Sequence, residues 1–298
     1  MINPIPRGSK VGIVSPSSAL DSPEDIRDGL HWLESCGYRV VLGSHVFDRQ
    51  NHMAGSPQQQ AEDMMHFFAD PEIKAVFAAA GGFGAQYLLP LLDYELIRKN
   101  PKPLIGFSDT TALQAGIYAQ TGNINYAGIL LKYDFGRGAS IHPYTAESFL
   151  CAMDGGFEDI RGGTTVSPGT AEGRLIGTNL CVLQSLAGTP YYPDLSGSIL
   201  LLEDVDEKSY RVERMLLQLR QQPSFERING IIFGQFTDIS LNHPDDKDIN
   251  QIINEFSAAV KVPVIRNFPF GHVRARKTIP LGAHALLDAG NCILKIKN

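Results

Sequence analysis

Between residues 10 and 129, short apolar runs alternate with amphipathic stretches, and the third run, IKAVFAAA at residues 73–80, is apolar at every position after Lys74. A strand with one wet face alternates polar and apolar residues. An unbroken apolar strand needs cover on both faces, which a parallel sheet between helix layers provides. The flanking segments fit that arrangement. KVGIVSP is a first strand. Asp21, Ser22, Pro23 and Glu24 open a helix with Ile26, Leu30 and Leu33 on one side, Gly37 ends it, and YRVVLG is the second strand. Ser56 and Pro57 supply the cap and first position of a helix reaching Asp70, with Met64, Phe67 and Phe68 on one side. Gly81, Gly82, Phe83 and Gly84 then turn the chain into a helix carrying Tyr87, Leu88, Leu91 and Leu92. PLIGF is the fourth strand and residues 124–129 the fifth. Strand and helix in strict alternation predict an α/β domain, a Rossmann- or flavodoxin-like parallel sheet with right-handed crossovers. Such sheets bind ligands beyond their C-terminal strand ends. Ser15, the Gly81–Gly82 pair and Ser108 lie at such ends.

At 298 residues and 43% apolar content, the chain has enough material for two cores. The alternation breaks after Lys132, in segments rich in Gly, Pro and Thr. It resumes with the strand-like runs EGRLIGT, SILLLED, INGIIFGQF, VPVIRNFPF and CILKIK, interrupted by helices at 179–186, 210–221 and 247–260. The expected organisation is an N-terminal α/β domain over 1–134, a linker over 135–168 with a short helix near 145–153, and a smaller mixed α/β domain with barrel-like strands over 169–298.

A formal charge of −6 with both signs scattered along the chain gives nucleic acid no basic stripe to bind. No apolar run approaches bilayer length, so no membrane insertion is expected. VGIV is too short for a signal-peptide core, and the chain reads as cytoplasmic. Cys36, Cys151, Cys181 and Cys292 are too dispersed for a metal site or a disulfide framework and read as buried reduced thiols.

Ser108 falls at the junction of a strand and a helix in PLIGFSDTTALQAG. There its oxygen would project from the sheet edge, and the N–H of Asp109 would belong to an uncapped first turn able to meet an oxyanion. A serine before a helix is also a common N-cap, and G-x-S-x-G is only half met because Thr110 replaces the second glycine. A serine nucleophile needs a base. Of the eight histidines, His31, His45, His52, His66, His142 and His243 sit in ordinary helix or loop contexts, and His284 in LGAHALLD reads as a core residue. His272 follows Gly271 where the chain turns after a strand. Glu203 is the first polar residue after four aliphatic ones in LLLEDVDE, where a buried strand would reach a cleft. It reads equally as a strand-end salt bridge. Asp204, Asp206 and Glu207 read as loop residues, with a divalent-metal site as a weaker rival.

GFSD, LLLEDVDE with the following YRVERMLLQL, and PFGHVRARKTIPLGAHA, in that order, resemble the LD-carboxypeptidases, or muramoyltetrapeptide carboxypeptidases, a family that includes the microcin-immunity serine peptidases. The resemblance runs from VGIVSPSS to IPLGAHALL, nearly the whole chain. It implies a Ser–His–Glu triad carried by Ser108, His272 and Glu203, split between the two domains and meeting in the groove between them. It also implies an oxyanion hole from the N–H groups of Asp109 and Gly82. It implies a muropeptide or small-peptide substrate, no metal or organic cofactor, and a homodimer. Asn179 in IGTNL resembles a substrate-binding position, and Arg174 and Arg274 are candidate carboxylate binders on charge, as are Arg211, Arg214 and Arg276. Where many members read R-G-G-Y-G, this chain has Ala80 and Phe83 in place of Arg and Tyr. Two rivals remain: a peptidase acting on aminoacyl-adenylate-like toxins, expected to offer a tryptophan to a nucleobase, and a hinged non-catalytic binder.

Overall fold

The computed structural model describes residues 3–138 and 140–297. The chain forms two compact units. One runs as far as Gly156 and takes in Thr278–Leu281; the other holds Phe157–Lys277 and the chain from Gly282 onward. The N-terminal unit contains β1 (Lys10–Val14), α1 (Glu24–Ser35), β2 (Arg39–Leu42), α2 (Pro57–Ala69), β3 (Ile73–Ala78), α3 (Tyr94–Lys99), β4 (Leu104–Gly106), α4 (Thr111–Thr121), β5 (Asn125–Ala127), α5 (Leu131–Phe135) and α6 (Pro143–Met153). The C-terminal unit follows with β6 (Ile160–Arg161), β7 (Thr164–Ser167), β8 (Thr170–Asn179), α7 (Leu180–Ser185), β9 (Ser198–Val205), α8 (Ser209–Arg220), β10 (Gly230–Thr237), α9 (Ile249–Ala258) and β11 (Val264–Arg266). Strand β12 (Ile279–Leu281) belongs to the N-terminal unit, and β13 (His284–Asp288) and β14 (Ile293–Ile296) complete the C-terminal one. The stretch 135–168, expected as a linker, is therefore shared out: α6 packs with the first unit, while β6 and β7 join the second sheet (Ala139 within it lies outside the described residues).

The N-terminal sheet has the order β12-β5-β4-β3-β1-β2, parallel except for β12, which pairs antiparallel with β5. The order 2-1-3-4-5 is flavodoxin-like, with its switch point between β1 and β3. All of β3 except Lys74 is buried, as an apolar run between helix layers requires. Helix α2 starts on a capping box formed by Ser56 and Gln59, with Pro57 in the first turn. The helix expected after the glycine turn is instead a 3₁₀ segment, Ala85–Leu91, with Pro90 inside it. Proline has no N–H for an α-helical bond, and the α-helix restarts at α3, where the Asp93 side chain accepts from Leu96 N–H. At the sheet centre, the buried Gln114 of α4 donates to the carbonyls of Leu104, Gly106 and Tyr126, which fixes the end of β4 against β5.

The C-terminal sheet has the order β6-β14-β13-β8-β9-β10-β11-β7. Strands β8, β9, β10 and β11 are parallel neighbours, flanked by antiparallel pairings. The barrel-like expectation is met only in part. Edge strands β6 and β7 are joined through Gly162 and Gly163, so the chain holds the two edges close, yet they do not pair and the sheet is open. His284, expected in the core, is exposed, because β13 alternates and His284 lies on its outer face. The four cysteines are free and half-buried rather than fully buried.

Candidate active site

In the N-terminal unit, β4 ends at Gly106 and α4 begins at Thr111, so the turn between them carries the serine. Ser108 has φ +62°, a left-handed backbone that costs an L-residue about 1–2 kcal/mol. Phe107, Asp109 and Thr110 are buried while Ser108 is half-buried, so of these four residues only Ser108 reaches toward solvent. A nucleophile elbow has this form: strain is accepted so that one side chain stands clear. The missing second glycine has a local explanation. Thr110 lies over Gly106, where a Cβ would come within 2.6 Å of the threonine methyl, so the close approach is met from the Gly106 side alone.

The Gly81–Gly84 turn abuts this serine: a Cβ on Gly81 would lie 3.0 Å from the Ser108 Cβ. Gly82 has φ +113°, and a Cβ there would fall 2.2 Å from the Ser18 hydroxyl, so no other residue fits. Ser18 holds both neighbours of Gly82. Its N–H donates to the Gly81 carbonyl at 3.4 Å, and its hydroxyl oxygen accepts from Phe83 N–H at 3.0 Å. The Asp109 carboxylate accepts from Ala85 N–H at 2.9 Å. Burial raises the pKa of Asp109, and the Ala85 N–H acts against that rise. The Ser17 oxygen is also buried and reaches no partner within hydrogen-bond limits.

In the C-terminal unit, β8 and β9 run in register with Asn179 beside Glu203. Glu203 is fully buried at the end of β9, and its Oε2 lies 2.7 Å from His272 Nδ1, whose side chain keeps 21% of its surface exposed. The other carboxylate oxygen, Oε1, has no hydrogen-bond partner. His272 is set by its predecessor: Gly271 has φ +137°, and its backbone bridges to Gln235 of β10, whose N–H donates to the Phe270 carbonyl. A second histidine–carboxylate contact, His45 Nδ1 to Asp63 at 3.0 Å, differs in kind. Both Asp63 oxygens also accept backbone N–H groups, from Ser44 and His45, so this carboxylate is fully used in holding the loop after β2.

Asp204, expected in a loop, is a buried residue of β9. Its carboxylate accepts from Asn179 Nδ2, Cys181 N–H and Val205 N–H. Burial is the main reason its pKa is pushed up to about 6; the charge of neighbouring Glu203 adds to the rise, and the three donors oppose it. Asn179 also caps α7, its Oδ1 accepting from Val182 N–H. Asp206 and Glu207 are separate from Asp204, Glu207 lying 3.7 Å from Arg211. Among the described residues no three metal-ligating side chains gather. Arg174 pairs with Ser198 at the start of β9 and donates to the Gly282 carbonyl, five residues or about 16 Å along β8 from Asn179. It stands apart from Glu203 and His272. Arg274 is exposed two residues beyond His272, and Arg276 is buried, donating to the Val273 carbonyl. Arg214 lies over the ring of Tyr210.

The residues named from sequence thus fall into two sets: Ser108 with Asp109 and Gly82 in one unit, Glu203 with His272 and Asn179 in the other. The roles of Ser18 and Asp204 were not foreseen. The repeated serines of VSPSS at a strand end were the only sign of Ser18, and Asp204 was hidden in an acidic run.

The fold is that of a class of serine carboxypeptidases. The chain is a member of the LD-carboxypeptidase family: residues 11–128 match its N-terminal domain and residues 172–287 its C-terminal domain. It is 33% identical over 287 residues to the probable murein peptide carboxypeptidase of Bacillus subtilis, covering 95% of this chain and 89% of that one. It is 31% identical over 299 residues to the murein tetrapeptide carboxypeptidase of Pseudomonas aeruginosa, covering 95% and 94%. A solved structure of MccF in complex with glutamyl sulfamoyl guanosine matches with a TM-score of 0.88 at 26% identity, covering 99% of this chain and 97% of that one.

Proposed function

We propose that this chain is a cytoplasmic serine LD-carboxypeptidase that releases the terminal D-alanine from a muropeptide tetrapeptide, in the recycling of cell-wall peptide, and works as a homodimer. The observation that carries this reading is the Glu203–His272 contact: a fully buried carboxylate spends one oxygen on a histidine Nδ1 and gives the other no partner. That arrangement orients the imidazole through Nδ1, and in this reading Nε2 serves as the base.

In this reading His272 Nε2 takes the Ser108 proton as Oγ attacks the carbonyl carbon before D-alanine. Glu203 stabilises the imidazolium. The N–H groups of Asp109 and Gly82 meet the oxyanion. As the C–N bond breaks, His272 gives its proton to the departing amine. Water then attacks the acyl-enzyme, losing its proton to His272, and Ser108 recovers that proton when the peptide acid leaves. The sequence of steps needs no metal or organic cofactor. It does require Ser108 and His272 to meet in the working enzyme. Asn179, beside Glu203 in register, and Arg274 are the side chains proposed to orient the peptide.

The peptide reading is favoured over an adenylate-like substrate by the tryptophan. Trp32, half-buried, packs its ring against Phe135 and Phe149, with ring centroids 5.1 and 5.5 Å away, and so is committed to the aromatic packing of the N-terminal unit. Mass spectrometry of a stem tetrapeptide incubated with enzyme tests the proposal. One D-alanine per peptide is expected from the wild type and none from Ser108→Ala. Absence of release by the wild type, or equal release by the variant, would defeat it. Aminoacyl sulfamoyl adenosine binding in calorimetry would favour the adenylate reading.

A further inference from the structure

The reading above asks Gly82 and Asp109 for backbone donors, but a donor is useful only where it is held before the charge forms. Gly82 is exposed in a turn of three glycines, which left to itself would sample many conformations. Three contacts remove that freedom. The Ser18 hydroxyl accepts from Phe83 N–H and its backbone N–H donates to the Gly81 carbonyl, gripping the chain on each side of Gly82, and only the hydroxyl contact is lost in Ser18→Ala. Asp109 accepts from Ala85 N–H, closing the far end of the turn.

We propose that Ser18 and Asp109 are positioning residues for the oxyanion hole, their side chains fixing the Gly82 N–H against the Ser108 turn. Asp109 then serves twice. Its N–H is one donor, and its carboxylate sets the place of the other, so the spacing between the two is fixed through a single residue. The contacts explain two features otherwise without a reason. A carboxylate only 7% exposed is retained next to the serine, where a neutral helix-starting residue would be easier to bury. Gly82 also fits so closely against the Ser18 hydroxyl that any side chain would displace it. The inference rests on the proposed serine mechanism and concerns its geometry, whatever the acyl group.

Two substrate-independent readouts test it: labelling of Ser108 by a fluorophosphonate, followed by mass spectrometry, and inhibition by a peptide boronate whose boron replaces the scissile carbonyl carbon. Asp109→Ala and Ser18→Ala are each expected to slow labelling by about 100-fold and to weaken boronate inhibition in parallel with kcat. KM and the affinity for the product tripeptide should stay within about threefold, because ground-state binding uses other groups. Asp109→Asn, which keeps an acceptor for Ala85 N–H, should recover most of the Asp109→Ala loss. A purely structural role would lower the melting temperature without this split between boronate and product affinity. If Asp109→Ala does not fold, Ser18→Ala and Asp109→Asn carry the test. Unchanged labelling and boronate inhibition in Ser18→Ala and in whichever Asp109 variants fold would overturn the inference. If the wild type labels at Ser108 but releases no D-alanine, the substrate reading fails and the inference is still tested. If the wild type does neither, both fall.

Discussion

The two clusters hold Ser108 and His272 by different means. Ser108 is placed by backbone geometry: a left-handed residue between a short strand and a helix, with buried neighbours on both sides. His272 follows the backbone turn at Gly271, but its ring is held by a side chain, the Glu203 carboxylate near the end of a strand whose preceding aliphatic residues are fully buried. Each breaks a local rule. The first accepts a conformation that disfavours serine, and the second buries an acid with one oxygen unpartnered. Strain in a dihedral and desolvation of a charge answer to different substitutions, so the two regions can be probed separately and then together.

The largest effect tests whether they form one device. Ser108→Ala and His272→Ala should each lower kcat by about 10⁴- to 10⁶-fold, and the double variant should be no slower than either alone, since groups acting as a unit lose their function together. Multiplying losses in rapid-quench assays would mean that the clusters act independently. Next in size is Glu203→Gln. It keeps the volume but removes the charge that favours imidazolium, and about a 10⁴-fold loss of kcat is expected with KM little changed. A loss below tenfold would leave Glu203 as a strand-end ion pair only.

The sequence made the N-terminal sheet legible because hydrophobic period reports burial, and burial on both faces admits few architectures. It also pointed to Ser108, Glu203 and His272 through punctuation: a lone polar residue at the end of an apolar run, or a glycine before a histidine. Contacts that close through space left less trace. Asp204 looked like one acid among several, and only the register of β8 with β9 shows it facing Asn179 and the start of α7. Arg174 and Asn179 sit in one short motif, yet strand rise puts them at opposite ends of β8. Propensity misjudged the segment after the glycine turn because one proline outweighed its leucines. The return of β12 to the first sheet has no local signature at all, since three residues pair with a strand some 150 positions earlier.

Asp204 extends the electrostatic half of the comparison. With its pKa raised to about 6 in the fold, against about 4 when unfolded, the native state keeps a proton between those values that the unfolded chain has released. Stability from this group is therefore highest below pH 4 and falls as pH rises through 6, by about 3 kcal/mol in all. Asp204→Asn cannot titrate. Denaturant melts at pH 4 and pH 7 should show the wild type losing that amount relative to the variant, and a difference of the opposite sign would contradict the burial argument. In Glu203→Gln the window should narrow from above, because the like charge that helps raise Asp204 is gone.

The smallest effect separates strain from chemistry at the other cluster. Ser108→Gly removes the Cβ that makes φ +62° unfavourable, whereas Ser108→Ala keeps it. Both variants lack the proposed nucleophile and should be equally inactive. The glycine variant should nevertheless be the more stable by about 1 kcal/mol, the relief of strain exceeding the extra freedom glycine gives the unfolded chain. No such gain is expected at His272, which lies outside the left-handed region. If the two Ser108 variants melt together, the left-handed turn stores no energy. The serine would then be exposed by the packing of its neighbours, and the contrast drawn between the clusters would reduce to a difference in burial.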